Sequence, residues 1–328
     1  MSTRRSFLKT AGKALVITSV SPKFYLKSAN KMSTNQKPIR IGIIGAENSH
    51  TIGFGKMFNI DKKFPGVEVK YVWGETDEAA KNAMEKGSIP FQVKDPAEMM
   101  GKIDALIVDH RHPKFHLEPA IPFVKAGIPT FIDKPFCYRA PEGKAFLELA
   151  RKSGAPVTSY SSIGYSEATF NLREQVRNME DVRQVLTTGP VVLDSEYGNV
   201  FFYGVHMVQP LMAIFGEDIE QVRVSRSGSL GNASLKFSSG LFATMIFKEK
   251  ARGWETYIEA SNKWIELKPQ VEESNPAINY VDMVEMFRTG KEPRTHQSIL
   301  NGVSVLEALE KSAENDKWVD VKYEVLNY

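Results

Sequence analysis

Between residues 38 and 158 the chain alternates so regularly that few folds remain open to it. Short runs of β-branched and aliphatic residues, IRIGIIG, VEVKYVW, ALIVD, PTFID and APVTSY, are separated by the helical stretches DEAAKNAMEKG, HLEPAIPFVKAG and PEGKAFLELARKSG. Strand then helix, repeated, predicts a parallel sheet, because parallel neighbours need a long crossover and a helix makes one compactly. Each helical stretch ends near a glycine, at Gly87, Gly127 and Gly154, where a left-handed C-terminal position costs least. After about residue 158 longer β-rich segments gather: VRQVLTTGPVVLDSEY, IEQVRVSRSG, ASLKFSSGLFATMIFK and ETYIEASNKWIELK. These predict a mostly antiparallel sheet, with SSG as a hairpin turn. Two helical stretches, INYVDMVEMFRTG and QSILNGVSVLEALEKSAEND, close the chain.

The first strand runs into GAENSH, residues 45 to 50. In a doubly wound sheet the turn after the first strand carries Gly-x-Gly-x-x-Gly, which lets the backbone approach a pyrophosphate at the start of a helix. Gly45 supplies the turn, but Glu47 and His50 stand at the second and third glycine positions. Ser49 is placed to cap the helix and offer a hydroxyl, so the pyrophosphate is expected near Ala46 to Ser49. At the end of the second strand, where an acid takes the ribose hydroxyls, position 74 is Gly and the nearest carboxylate is Glu75. No basic residue follows that strand, which favours NAD over NADP.

The formal charge of +3 is produced by the first 31 residues, which hold seven Lys or Arg and no acid; the remainder is mildly acidic and offers nucleic acid no general attraction. Arg4 and Arg5 precede Phe7 and Leu8 in STRRSFLK, which resembles a twin-arginine export signal and predicts a periplasmic protein. Lys13 interrupts the apolar run behind it, and a start at Met32 would leave a cytoplasmic protein. No stretch has the length of apolar residues a membrane-spanning helix needs. Cys137, the single cysteine, excludes an intramolecular disulfide and reads as a small buried residue. His110, His112 and His116 in DHRHPKFH include a His-x-His pair, but with no separate carboxylate or thiolate ligand no metal is expected there. The segment follows ALIVD directly, so His110 and Arg111 should overhang a nucleotide crevice while His116 starts the next helix.

FIDKPF at 131 to 136, GVHMVQPLMAIFG at 204 to 216 and the closing MFRTGKEPRTHQSILNGVSVLEALEKSAENDKWVDV together resemble the glucose-fructose oxidoreductase / inositol dehydrogenase (Gfo/Idh/MocA) family over nearly all of residues 39 to 323. The resemblance implies an α/β protein: an N-terminal Rossmann domain over 38–157, doubly wound around a parallel sheet, and a C-terminal α/β domain over 158–328 with a mostly antiparallel open sheet. It implies NAD or NADP as cofactor, a sugar, sugar acid or cyclitol as substrate, and homo-oligomers formed through the C-terminal sheet. Lys134 matches the family's motif lysine, with Asp133 beside it at the cofactor, and His206 matches its catalytic histidine. This chain has Phe202 and Gln209 where many relatives carry acids near that histidine, and Tyr197 and Tyr203 are candidates to stand in for them. A strand-end lysine can equally be a solvated group, and a histidine at the start of an apolar helix can equally be a packed one. A glycoside-cleaving relative using bound NAD and a binding protein without cofactor are the alternative functions.

Overall fold

The computed structural model describes residues 37–271 and 276–327; the twin-arginine-like segment lies outside the described residues. The first sheet has six strands: β1 (Ile39–Ile44), β2 (Val67–Trp73), β3 (Phe91–Gln92), β4 (Ala105–Val108), β5 (Thr130–Ile132) and β6 (Val157–Thr158). All pair in parallel, in the order β3-β2-β1-β4-β5-β6. The order reverses between β1 and β4, so the crevice for a ligand opens at their C-terminal ends, at Gly45 and Asp109. Alternation along β1 divides two cores: Ile39, Ile41 and Ile43 face one, Ile44 the other. Removing each buried isoleucine from water contributes about 1.5–3 kcal/mol.

Helices α1 (Ser49–Gly55), α2 (Asp77–Gly87), α3 (Ile121–Lys125) and α4 (Ala140–Ser153) make the crossovers. The predicted boundary at Gly154 holds, with φ +68° at the C-cap. At α2 the left-handed residue is instead Ser88, and Gly87 serves a different purpose: a Cβ on Gly55 would sit 2.6 Å from the Gly87 Cα, so the two glycines let α1 and α2 touch backbone to backbone. The predicted helix from His116 is largely absent. His116 closes a 3-10 turn, Pro113–Phe115; a second turn, Glu118–Ala120, and the five-residue α3 follow. Pro113, Pro119 and Pro122 each lack the N–H a continuous helix requires.

The second sheet contains β7 (Gln184–Pro190), β8 (Ile219–Ser227), β9 (Leu230–Phe237), β10 (Phe242–Lys248), β11 (Glu255–Ala260), β12 (Lys263–Leu267) and β13 (Val319–Asp320), in the order β12-β11-β7-β10-β9-β8-β13. Only β7–β10 is parallel, and SSG does form the β9–β10 turn, with Gly240 at φ +88°. Two helices cover this sheet, α6 (Phe201–Phe215) and α8 (His296–Asn315). A helix that the β-rich reading overlooked, α5 (Glu167–Arg177), packs on α6 and is capped by Ser166, whose side chain accepts from the Thr169 N–H. After β12 the chain returns to the first domain: Met283, Met286 and Phe287 of α7 (Val281–Thr289) join Ile41, Phe54 and Phe131 in its core.

Candidate active site

At the switch point Gly45 has φ +111°, and a Cβ there would lie 2.6 Å from the Asp109 carbonyl carbon; the turn after β1 is pressed against the end of β4. Asn48, not Ser49, caps α1: its Oδ1 accepts from the His50 N–H, while Ser49 is exposed. Glu47 is exposed as well, so its charge does not enter the turn. Its backbone does the work. The N–H groups of Ala46 and Glu47 donate to one oxygen of Glu75, at 2.8 and 3.0 Å, while His110 Nδ1 lies 2.7 Å from the other. Burial opposes charge on Glu75, yet the hydrogen bonds from His110 and Ala46 hold its carboxyl below the usual range. Two N–H groups converging on an anionic oxygen form the cradle a phosphate uses, and an acid at the end of β2 is the group that serves a ribose. These residues fit a dinucleotide.

Behind the turn lies a buried carboxylate pair. Asn48 Nδ2 donates to Asp109 Oδ1 at 2.7 Å and to Asp133 Oδ2 at 3.3 Å, and His50 Nδ1 lies 3.0 Å from the same Asp133 oxygen. Thr51 Oγ1 is 2.9 Å from the Gly45 carbonyl and 2.6 Å from Asp109 Oδ2. A hydroxyl has one proton and a carbonyl only accepts, so both contacts are satisfied together when Asp109 is protonated and donates to Thr51. Burial and then the charge of Asp133 push the Asp109 carboxyl well up, in agreement. Asp133 remains ionised despite burial, because His50 and Lys134 hold its carboxyl below the usual range. Lys134 Nζ is 3.9 Å from Asp133 Oδ2, and the lysine is 6% exposed. Donor atoms of His50, Asp109 and Asp133 lie within 4.8 Å of one another, a spacing open to a cation, but here those atoms are engaged with Asn48, Thr51 and each other beside the Lys134 ammonium.

His206 starts the second turn of α6 and is also 6% exposed. Its Nδ1 lies 2.7 Å from Ser161 Oγ, which accepts from the Ile163 and Gly164 N–H groups; Gln209 Oε1 accepts the Ser161 N–H at 2.6 Å. With its oxygen accepting from the backbone, Ser161 directs its proton at His206, and the resting ring carries its hydrogen on Nε2. Burial first, then the nearby Lys134 and His50, push the His206 pKa well below 6.5, so the ring is neutral. Ser161, itself held by Gln209, thereby holds the ring. The tyrosines do not stand in: Tyr203 meets His206 ring to ring at 5.5 Å, and Tyr197 receives Arg111. Pro210 lacks the N–H that would bond the His206 carbonyl four residues back.

The loop after β4 reaches both domains. His110 is buried against Trp73 and Glu75 at the cradle, as expected of a residue overhanging the crevice. Arg111 turns the other way, its Cζ 3.8 Å from the Tyr197 ring centroid. His112 packs on Tyr138 and beneath Gly198, which has φ +100° and room for no Cβ without crowding His112; burial and then Lys114 lower the His112 pKa to about 4. The ring nitrogens of His116 lie 2.8 Å from the His110 carbonyl and 2.9 Å from the Pro135 carbonyl, tying this loop to the one bearing Lys134. The three histidines therefore have separate tasks. Cys137 is buried as predicted, and burial pushes its thiol far up and out of reactivity.

Gly45, Ala46, Glu75, His110, Asp133 and Lys134 thus meet around one crevice, while Ser49 and Arg111 do not contact the cradle. Asn48, His50, Asp109 and Ser161 belong to the site without having been singled out. Asn48 carried a readable signal, an Asn just before a helix, and Asp109 and Ser161 follow the ends of parallel strands, where sites form.

A doubly wound sheet with an anion cradle at its switch point, beside a second sheet whose covering helix contributes a buried histidine, defines a nucleotide-dependent enzyme. Residues 39–161 match the Gfo/Idh/MocA family model, described as "Oxidoreductase family, NAD-binding Rossmann fold". That match covers the domain built on the first sheet. No curated protein matches its sequence. Among solved structures it is similar to myo-inositol 2-dehydrogenase from Lactobacillus plantarum, with TM-score 0.73 and 18% identity over 87% of this chain and 100% of that one. It is also similar to a probable dehydrogenase from Thermotoga maritima, with TM-score 0.72 and 18% identity over 86% and 99%. A third is scyllo-inositol dehydrogenase from Lactobacillus casei with bound NAD(H) and scyllo-inositol, with TM-score 0.72 and 14% identity over 87% and 99%. At these identities the likeness establishes the shared fold of both domains.

Proposed function

We propose that this chain is an NAD-dependent dehydrogenase of a sugar, sugar acid or cyclitol, in which Lys134 and His206 handle the hydroxyl proton. The observation that carries the reading is the pairing of two nearly inaccessible groups within electrostatic reach of each other, each held from behind: Lys134 by Asp133, His206 by Ser161. Nicotinamide supplies a hydride acceptor for the carbinol carbon. The Asn48-capped start of α1 would hold the phosphates, and Glu75, fixed on the Ala46 and Glu47 N–H groups, the ribose. Lys134 Nζ makes no hydrogen bond to the described residues and is free to donate to the substrate hydroxyl oxygen. His206 would meet the same oxygen with its Nε2 N–H, the tautomer that the Ser161 hydroxyl fixes. The inositol dehydrogenase neighbours support a polyhydroxylated substrate.

The experiment is mass spectrometry of small molecules released from the purified full-length protein, followed by nicotinamide absorbance assays over sugars, sugar acids and inositols. A released or titratable NAD, and a loss of turnover on the order of a hundredfold or more in Lys134→Ala and His206→Ala, are expected. Variants that match the parent protein on an oxidised substrate would remove the assigned roles. Ile246 and Trp264 stand 39% and 54% exposed on the second sheet, which supports assembly of copies through that sheet; light scattering should find more than one chain per particle. Arg4 and Arg5 support export of the folded protein, and their joint replacement by Lys should hold it in the cytoplasm.

A further inference from the structure

Arg111, in the loop after β4, is half-buried and has no ionic partner among the described residues. Its Nη1 donates to Tyr197 Oη at 2.8 Å, its Cζ lies 3.8 Å from the Tyr197 ring centroid and 5.4 Å from that of Phe202, and none of the ion pairs among the described residues includes it. Glu47 and Glu196 are the carboxylates near Tyr197, and neither pairs with the guanidinium. Most of its N–H groups remain uncommitted. A guanidinium stacked on aromatic rings is a planar fork held ready for a carboxylate, which it binds through two parallel hydrogen bonds.

The second cation on the same ring is Lys134, with Nζ 5.5 Å from the Phe202 centroid. Phe202 itself is uncharged, and Gln209 is neutral and committed to the Ser161 N–H. Neither side chain sets a negative charge beside Arg111 and Lys134. Because both cations lie on one ring, they are at most about 11 Å apart, within reach of a carboxylate and a hydroxyl of one sugar. On the reading that this is a polyol dehydrogenase, we infer that its substrate is a sugar acid, with its carboxylate on Arg111 and the hydroxyl to be oxidised on Lys134.

The test uses the full-length protein with NADH bound, so that affinity is measured without turnover. Calorimetric titration compares D-glucuronate and D-gluconate with their neutral counterparts D-glucose and sorbitol. Tighter binding of an acid than of its neutral counterpart by on the order of tenfold or more is expected, and Arg111→Gln should remove that preference while neutral ligands change by no more than two- to threefold. Arg111→Lys, which keeps the charge and loses the fork, should restore only part of it. Phe202→Asp should weaken acids and spare neutral ligands. Equal binding of acids and neutral sugars, an unchanged preference in Arg111→Gln, or tighter binding of glucose 6-phosphate than of glucuronate would overturn the inference. So would an Arg111→Gln protein whose main defect is NAD affinity in the absence of any sugar, since the guanidinium would then serve a cofactor phosphate. Turnover is read separately: acids that bind through Arg111 without being oxidised would count against the dehydrogenase reading alone, and neutral polyols oxidised as well as acids would count against the carboxylate alone.

Discussion

Ser161 Oγ and His206 Nδ1 lie 2.7 Å apart, joining the loop after the last strand of the first sheet to the first helix over the second. The Ser161 hydroxyl is the group that fixes which nitrogen of His206 bears the hydrogen. Its oxygen accepts the Ile163 and Gly164 N–H groups, so it donates to a bare Nδ1 and keeps the ring hydrogen on Nε2. Ser161→Ala removes that donor; the Ser161 N–H keeps Gln209, while the Ile163 and Gly164 N–H groups lose an acceptor. Turnover should fall by on the order of tenfold to a hundredfold with KM nearly unchanged, and nitrogen NMR of His206 should show a mixture of tautomers. A single Nε2–H tautomer retained in the variant would contradict the assignment.

The carboxylate pair makes an asymmetric prediction. Asp109 is already neutral in the folded protein, so an Asn side chain there can accept from Asn48 and donate to Thr51 in its place. Asp109→Asn should keep these bonds and raise stability at neutral pH, because the native Asp109 carboxyl must take up a proton on folding and an amide need not. Asp133→Asn removes the charge that balances a buried Lys134 and should cost about 3–5 kcal/mol, the usual consequence of breaking a buried pair from one side. Urea unfolding of the two variants at neutral pH checks this, and equal losses would mean that the proton is not where the Thr51 geometry places it.

The layout of the first sheet was legible because its signal is local: β-branched runs, helical spacing and glycines all agree from residue 38 onward. The same glycines were less legible in purpose. Gly87 suggested a helix end, but its reason lies at Gly55, thirty-two positions earlier, where two helix backbones meet. The helix α5 was hidden by surrounding β-rich segments despite its Ser166 cap. In the site, Lys134, His206 and Glu75 could be found because motif and strand end mark them. The role of Glu75 on the turn N–H groups, and that of Ser161 and Gln209 behind His206, depend on contacts across 28 to 48 residues that no spacing records. Arg111 was expected at the nucleotide; the direction of one side chain put it on Tyr197 instead.

His206 also ties stability to pH. Its pKa is depressed in the folded protein and ordinary in the unfolded chain, so below about pH 6.5 the unfolded chain takes up a proton that the native protein refuses. Stability present above that pH is lost as pH falls, by about 1.4 kcal/mol between pH 7.5 and 5.5 for this one ring. Asp109, with its carboxyl pushed up, acts in the opposite direction over the same interval, since the unfolded carboxyl is ionised and the native one is not. The measurable quantity is therefore the difference between parent and His206→Gln. The parent should lose about 1.4 kcal/mol more than the variant on acidification, and parallel pH profiles would show that the histidine is not held neutral.

Glu75 should decide which dinucleotide is accepted. Its carboxylate is fixed by His110 and by the Ala46 and Glu47 N–H groups at the end of β2, where the 2′ position of the adenine ribose sits in doubly wound sheets. A hydroxyl there can donate to the carboxylate; a 2′-phosphate meets a fixed negative charge with no basic side chain to offset it. The parent protein should therefore prefer NADH to NADPH. Glu75→Gln removes the charge, keeps a hydrogen-bonding side chain of the same length, and should narrow the preference by on the order of tenfold, mostly through tighter NADPH binding. Exposed Glu47 makes a useful control, because Glu47→Gln alters a charge one residue from the cradle without entering it. Nicotinamide fluorescence titration of the three proteins reads both affinities directly. If the Glu47 change shifts the ratio and the Glu75 change does not, then the exposed carboxylate, and not the one held on the turn, faces the ribose.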